Sequence, residues 1–493
     1  MVRALHSTDE GGELSPRGPA GGRGAPGRAA AGETRQHSGA VGGKDEGTQS
    51  LIDVSTKLRR IAKLAKENPQ MVFTALAHHI DMDFLREAYR RTRKDGAPGV
   101  DRVTAKEYAK DLDENLEALL EAFKSGRYRA PPVRRVHIPK GDGRTRPLGI
   151  PAFEDKVLQR AVVMVLEAVY EQDFKDCSYG FRPKRSAHAA LAAMREPLME
   201  MGGAWVIDAD IKGYFDNIEH GKLRAILDQR VRDGVIRRAI DKWLKAGVME
   251  EGSVSYSDLG TPQGGVISPL LANIYLHEVL DTWFERDVRP RLKGAAFLVR
   301  YADDFLLACA LKSDAERVFE VLPKRFAKYG LTIHPEKSKL VCFTRPRPRE
   351  SGKGRDEEGN PPGTFDLLGF THYWARSQRG YWVIKRKTMA KRFKRGLVAL
   401  NDWCRANLHA PLREQWTVLS QKLRGHYAYY GITGNSPAVS RFLWFATRIW
   451  KRGLDRRSQR GYLPWEAFRR LLRRYPLPAA CCPQSTIPKR SET

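Results

Sequence analysis

Apolar positions recur at helical spacing between about residues 55 and 95, first as Leu58, Ile61, Leu64 and Ala65, then as Phe84, Leu85, Ala88 and Tyr89. Gly96-Ala-Pro-Gly-Val-Asp101 breaks that pattern as a turn. A short strand is predicted at Arg134–Pro139, which with Pro147-Leu-Gly-Ile-Pro151 flanks a Gly-rich basic loop, Lys140–Arg146. Helical periodicity returns over Glu154–Gln172 and Ser186–Met201. The run Ala204–Ile211 predicts a strand, and helices are predicted at Leu223–Val231 and Leu270–Glu285. Phe297–Cys309 reads as two short apolar strands joined by acids, followed by helix Asp314–Lys328 and strand Leu340–Thr344. Residues 345–364 are rich in Pro, Gly and charge and read as an exposed loop; Asp366–Tyr373 predicts a strand, and the remainder is helical and basic. Helices and strands mix without a regular βαβ repeat, which predicts an α+β fold. Residues 1–50 show no apolar periodicity and are expected to be a disordered extension.

A chain of 493 residues is long enough for two or three domains with substantial cores. Its formal charge of +28 makes a polyanion the first partner to consider. The charge is unevenly placed. Residues 1–50 hold six Lys/Arg and six acids, whereas residues 371–475 hold 24 Lys/Arg against four acids, a net +20, with seven of the ten Trp. Cations interleaved with aromatics suit a surface that neutralises phosphates and stacks on bases. The six Cys form no C-x-x-C pair, which argues against a ribbon-type zinc site and fits a reduced, cytoplasmic protein. No apolar run reaches the roughly 18 residues that span a bilayer, so no membrane partner is expected.

The candidate chemistry lies in the carboxylates. Tyr301-Ala-Asp303-Asp304 puts two acids at the tip of an apolar hairpin. One Asp at a turn can simply bond its own backbone, but two adjacent carboxylates repel unless a cation or base neutralises them. Some ninety residues earlier, Asp208 and Asp210 point to one face of the strand Ala204–Ile211. A strand ending in an acid beside a hairpin tipped with two could surround a pair of divalent cations; hard oxygen donors suit Mg²⁺, and two ions about 4 Å apart serve phosphoryl transfer. Between these acids, Gly260-Thr-Pro-Gln263-Gly-Gly265 combines two glycines that admit a close ligand with an amide that donates and accepts, ahead of a helix start at Ser268-Pro269.

In order along the chain, Arg146-Pro-Leu-Gly-Ile-Pro151, Ser178-Tyr-Gly-Phe-Arg-Pro183, Asp210-Ile-Lys-Gly-Tyr-Phe-Asp216, Thr261-Pro-Gln-Gly-Gly265, Tyr301-Ala-Asp-Asp304, Gly330-Leu-Thr-Ile-His334 with Glu336-Lys-Ser338, and Leu368-Gly-Phe370 resemble the blocks of reverse transcriptases encoded by group II introns. The similarity covers roughly residues 55–475. It implies a right-hand polymerase: 51–110 a helical extension of the fingers, 111–202 fingers, 203–345 palm, 346–364 an exposed loop, 365–475 the palm end, thumb and basic helical maturase (X) domain, and 476–493 a disordered tail. It further implies that Asp210, Asp303 and Asp304 are the catalytic metal ligands for two Mg²⁺ ions. Lys140 and Arg146 would grip the incoming triphosphate, Phe215 would exclude the ribose 2′-hydroxyl, and Gln263 would contact the nucleotide. Lys337 is a candidate for protonating pyrophosphate or an ordinary surface lysine. Leu368, Gly369 and Phe370 match a primer grip, while Asp208 and Asp216 take supporting roles.

Leu423-Arg-Gly-His-Tyr-Ala-Tyr-Tyr-Gly431 resembles the maturase domain, which makes Arg424, His426, Tyr427 and Tyr430 candidates for RNA contact, although the tyrosines could equally be helix packing before a helix stop. The expected partners are group II intron RNA, a DNA primer or target, and deoxynucleotide triphosphates, with the chain either a monomer or a homodimer. About 18 residues follow Tyr475 with no C-x-x-C and no His-rich motif, so no built-in endonuclease is expected and insertion would use a primer already present. The competing readings are an RNA chaperone with a vestigial polymerase and a reverse transcriptase of defence or diversification that serves no intron.

Overall fold

The computed structural model describes residues 45–139, 145–250, 253–256, 259–260, 264–346, 363–457 and 462–484. Of the extension expected to be disordered over residues 1–50, those up to 44 lie outside the described residues, whereas 45–50 are helical; nearly all of the loop 346–364, Lys140 and Gln263 also lie outside. Along the chain come α1 (Asp45–Glu67), α2 (Met82–Arg91), α3 (Ala105–Tyr108), α4 (Leu112–Ser125), β1 (Val133–Pro139), β2 (Thr145–Ile150), α5 (Phe153–Tyr170) and α6 (Ala187–Glu200). Helices α1, α2 and α3 pack on α5, whose Val157, Leu158, Ala161, Val162, Val165, Leu166 and Val169 are fully or almost fully buried. That apolar surround makes α5 the spine of the N-terminal half.

Next come β3 (Gly203–Ala209), α7 (His220–Asp228), α8 (Gly234–Leu244), β4 (Val248–Glu250), β5 (Ser253–Ser255), α9 (Ser268–Leu276), β6 (Ala296–Tyr301), β7 (Asp304–Cys309), α10 (Lys312–Lys328) and β8 (Lys339–Thr344). Strands β6, β7, β3 and β8 form one antiparallel sheet in that order. Its two faces feed different cores: Phe305, Leu307 and Cys309 join the large core shared with α5 and α9, while Leu306 and Ala308 join a second core with α6. Burial on both faces, with the side chains alternating between them, accounts for the continuous apolar runs in these strands. The helix expected at Leu270–Glu285 starts at Ser268 and widens into π-helical turns over His277–Thr282 and Phe284–Val288.

The region after residue 364 departs furthest from expectation. The single strand predicted over Asp366–Tyr373 is two, β9 (Phe365–Leu367) and β10 (Phe370–Arg376), folded back at Leu368-Gly369; β11 (Trp382–Thr388), in a stretch read as helical, completes a three-stranded sheet. Leu368 and Gly369 have φ of 49° and 82°, the left-handed pair that a two-residue hairpin turn requires. Helices α11 (Ala390–Ala406), α12 (Leu412–Tyr430), α13 (Ser436–Asp455) and α14 (Trp465–Arg474) then build a third core around Leu419, Leu423, Phe442 and Trp450. The tail expected to be disordered from 476 is ordered as far as it is described. Trp416 Nε1 donates to Pro476 O at 2.8 Å, and Gln484 pairs with Ile432. Apolar Leu477 and Ala480, packed on the third core, supply the reason. Among the described residues no helix is long and apolar enough to cross a membrane.

Candidate active site at the acidic hairpin

Tyr301 pairs with Asp304 across β6 and β7, which leaves Ala302 and Asp303 as a two-residue turn. Ala302 has φ 57°, a conformation costly for any residue with a Cβ. The surroundings hold it there. Arg300, fully buried, donates from Nε to Asp281 Oδ1 at 2.7 Å and from Nη2 to Asp281 Oδ2 at 2.6 Å. Its Nη1 donates to Asn273 Oδ1 at 2.9 Å and to Ala302 O at 3.1 Å, and its Nη2 also donates to Ser178 Oγ at 2.8 Å. Thus the carbonyl of the strained residue is bound by a charge that is itself paired. Gly180 presses on the same turn: a Cβ there would lie 2.3 Å from Ala302 N, so only glycine fits.

Strand β3 delivers the third acid. Its last pair with β7 is Ala209 with Phe305, so Asp210 leaves the sheet beside the start of β7. The segment 330–338 fixes it, with His334 N donating to Asp210 O at 2.8 Å and Asp210 N to Ser338 Oγ at 3.3 Å. Lys337 Nζ contacts Asp210 Oδ2 at 2.7 Å; both side chains are well exposed, so the pair is worth at most about 1 kcal/mol. Asp208, one step back on the same face, lies 3.7 Å from Lys339 Nζ.

The acids perturb one another. Asp304 is open to solvent along one side yet surrounded by protein on the others. That burial, reinforced by Asp303 and Asp210, pushes its carboxyl up to about 7, with Arg392 pulling the other way. Burial also raises Asp303, opposed by Arg146 among others, and lifts Asp208 to about 6 against the pull of Lys339. Among the described residues no three His, Cys, Asp or Glu side chains are gathered closely enough to hold a metal unaided. The donor set nevertheless suits Mg²⁺, which is commonly held by one or two carboxylates and completed by substrate phosphates; a cation would offset the burial and the repulsion that together hold Asp304 up.

The expected nucleotide residues fall on two sides of this floor. Arg146, paired with Ile138 in the β1–β2 hairpin, is close enough to Asp303 to lower its carboxyl. Phe215 sits in a short 3₁₀ turn, Tyr214–Asp216, anchored by the buried Tyr214 hydroxyl donating to Ala272 O at 2.5 Å. Gly260 crosses over it: a Cβ there would lie 3.0 Å from Phe215 O. Gly264, with φ 116°, packs so closely on β2 that a Cβ would meet Gly149 O at 2.5 Å. Buried Gln159 on α5 supports the same segment, its Oε1 accepting from Val266 N at 2.8 Å. Gly264→Ala is therefore expected to displace the glycine loop from β2 and raise KM for nucleotide about tenfold or more, since a displacement near 1 Å can cost up to about 100-fold; steady-state titration of the nucleotide checks this.

Leu368-Gly369-Phe370 is clasped by the end of α12. The Tyr429 hydroxyl donates to Leu368 O at 2.8 Å, and the Phe370 ring lies 5.8 Å from Tyr429 and 5.4 Å from Tyr430. The RNA-contact expectation fails for Tyr427, which is 2% exposed and donates its hydroxyl to Pro478 O at 3.2 Å. Its place on the inward stripe of α12 puts it in the core. His426 is largely enclosed, stacked at 3.6 Å on Phe442, and burial drops its imidazole to about 4. Tyr430 serves the Gly369 turn, and Arg424 alone of the four is exposed.

Sequence reasoning missed Arg300, Asp281, Asn273, Gln159 and Gly180 as members of the site. A signal was present for Arg300: a lone cation inside Phe297–Tyr301, a strand otherwise apolar, needs a buried acid. Nothing in the sequence identified Asp281 as that acid, because the π-helical turns shift its register.

Residues 138–372 match the reverse transcriptase (RNA-dependent DNA polymerase) family, a span that contains every acid described above. The group II intron-encoded protein LtrA of Lactococcus lactis subsp. cremoris is 41% identical over 228 residues, covering 45% of this chain and 37% of LtrA. Protein YkfC of Escherichia coli (strain K12) is 37% identical over 286 residues, covering 52% of this chain and 75% of YkfC. The putative COX1/OXI3 intron 1 protein of Saccharomyces cerevisiae is 28% identical over 358 residues, covering 61% of this chain and 42% of that protein. The chain thus spans little more than a third of LtrA. Reverse transcriptases generally use divalent metal ions, in keeping with the acidic floor. On the matched span and its likeness to these relatives, the chain belongs to the reverse transcriptase and maturase family encoded by group II introns.

Proposed function

We propose that the chain extends a DNA primer on an RNA template and also binds the RNA of a parent group II intron to assist its splicing and mobility. What supports the polymerase reading is that Asp210, Asp303 and Asp304 lie toward one end of the central sheet and perturb one another, with Arg146 near enough to act on Asp303. In this reading residues 111–202 act as fingers, 203–345 as palm, and 365–475 as palm end, thumb and maturase domain. Two Mg²⁺ ions held by the three acids and the substrate phosphates would fix the attacking and leaving oxygens of the displacement. The primer 3′-oxygen attacks the α-phosphate of a deoxynucleotide triphosphate, and pyrophosphate departs.

The chain's own residues do the rest. Arg146 meets the charge that develops on the phosphates, a fixed cation being most effective in a water-poor cleft. Phe215 stands where a ribose 2′-hydroxyl would arrive. Lys337, carried on the segment that fixes Asp210, is available to give a proton to the departing pyrophosphate once substrate competes for that carboxylate. The Leu368-Gly369 turn, held by the Tyr429 hydroxyl on Leu368 O, orients the primer end. The basic helices α11 to α14 attract the intron RNA.

Primer extension on an RNA template with Mg²⁺ tests the reading. The parent chain is expected to extend the primer and Asp303→Ala to fail; extension by Asp303→Ala at the parent rate rejects the catalytic assignment. Phe215→Val is expected to admit ribonucleotides, measured as the ratio of kcat/KM for deoxy- and ribonucleotide. An unchanged ratio rejects the gate. Splicing of the flanking intron by the Asp303→Ala chain separates the second role from the first.

A further inference from the structure

We propose that α13, α14 and the residues Tyr462-Leu463 just ahead of α14 form a stacking platform for an unpaired stretch of RNA, built from Trp444, Trp465 and Tyr462 around Arg448 and Lys451. The proposal rests on the RNA-dependent reading above and names the surface and the strandedness of the RNA it takes. Trp450, on the same helix, shows how these aromatics would look as core, being 1% exposed; Trp444, Trp465 and Tyr462 are 50%, 40% and 75% exposed. Large aromatic rings held out in water mark contact surfaces more often than packing.

The rings are joined through cations. The Arg448 guanidinium lies 3.9 Å from the Trp444 ring and 5.6 Å from the Trp465 ring. Lys451 Nζ lies 5.1 Å from both Trp465 and Tyr462. The result is an alternation of ring and cation: Trp444, Arg448, Trp465, Lys451, Tyr462. The two indoles are further braced by edge contacts, Trp444 on Phe445 at 4.7 Å and Trp465 on Phe468 at 5.8 Å, so little side-chain freedom is left to lose on binding.

The two cations play different parts. Lys451 is buried and neutralised by Asp455, whose Oδ2 it contacts at 2.9 Å, and Asp455 Oδ1 also accepts from Leu463 N at 3.1 Å. That pair therefore secures the segment that presents Tyr462. Arg448 is exposed and free to face a phosphate. Residues 436–474 contain 11 Lys/Arg against two acids, Asp455 and Glu466, a net +9. This charge excludes a basic partner and complements a polyanion. Between polyanions, exposed rings favour one whose bases are unstacked, because a duplex hides its base faces.

The test measures binding of a labelled oligouridylate to the full chain by fluorescence anisotropy, with an RNA duplex and polyglutamate as companion probes. Trp444→Ala and Trp465→Ala are each expected to weaken oligouridylate binding by about 5- to 150-fold, the range for losing one stacked base. The loss should persist at high salt and should be largely restored by Trp→Phe at the same position. Arg448→Ala should instead flatten the dependence of log K on log salt by about 0.7, as one phosphate contact is lost. Unchanged affinity in both tryptophan variants overturns the proposal. So does an equal loss on the duplex, which would mark a general phosphate surface, or a larger loss on polyglutamate, which would mark an acidic protein partner. Failure of the parent chain to extend a primer would count against the polymerase reading and leave these binding outcomes intact.

Discussion

Asp304→Asn is expected to lower DNA synthesis by about 1,000-fold or more and, in metal-free buffer near neutral pH, to make the chain more stable than its parent. On the proposed metal assignment, the first effect follows from losing a charged oxygen donor for the cations, whose stabilisation of transition-state charge is worth several kcal/mol, with each 1.36 kcal/mol counting tenfold. The second follows from the direction of the titration. Asp304 titrates near 7 in the folded chain, above the usual value near 3.9. The folded state thus holds the proton that the unfolded state has released, and stability falls as pH rises from about 4 through 7. Asn has no proton to lose, so the parent and variant should unfold alike near pH 4 and diverge above it. Mg²⁺ should narrow that gap by stabilising the ionised parent. Urea melts at several pH values, with and without Mg²⁺, read the second effect. Parallel stability curves across this range would show that the carboxyl titrates as an ordinary surface acid.

Arg300→Leu is expected to destabilise the chain by about 3–5 kcal/mol, because it strands the Asp281 carboxylate in a site with no exposure to water. Activity should fall by a separate route. Without the guanidinium, Ala302 O, Ser178 Oγ and Asn273 Oδ1 all lose a donor that links them to one another. The strained turn then has less to hold it, and a shift of about 1 Å in the acids can cost about 100-fold. The double replacement Arg300→Leu/Asp281→Leu separates the two effects. Removing both charges should recover much of the stability, since apolar replacement of a whole buried pair is often close to neutral, but kcat should remain low while KM for nucleotide changes little. Recovery of kcat together with stability would show that Arg300 supports the fold alone.

Much of this site was legible in the sequence because its chemistry is local. Asp303-Asp304 sits in a hairpin whose period is visible, although its turn is Ala302-Asp303, one residue ahead of the two acids that the sequence suggests, and Asp208 and Asp210 share a face by the alternation of a strand. Arg146 and Phe215 lie within short words of fixed order. Partnership across long separations was not legible: the Arg300–Asp281 pair depends on a π-helical register, and Gly180 matters only because β6 passes beside it. The tyrosines of α12 misled for a related reason. Periodicity placed Tyr427 and Tyr430 on a helix, yet which side faces the core depends on α13 and on the returning tail. The strand read over Asp366–Tyr373 hid a fold-back because Leu368, unlike a glycine, gives no sign of a positive φ.

The clasp of Tyr429 and Tyr430 around Leu368-Gly369-Phe370 bears on how such chains can be recombined. Ile432, just beyond α12, is fully buried in the same core as Val206 and Leu306 beneath the central sheet. A chain cut after Thr388 would leave Phe370 and its neighbours facing water, a patch prone to self-association. The basic helices are therefore no detachable cassette: grafting them from one relative to another would have to carry the β9–β11 sheet with them.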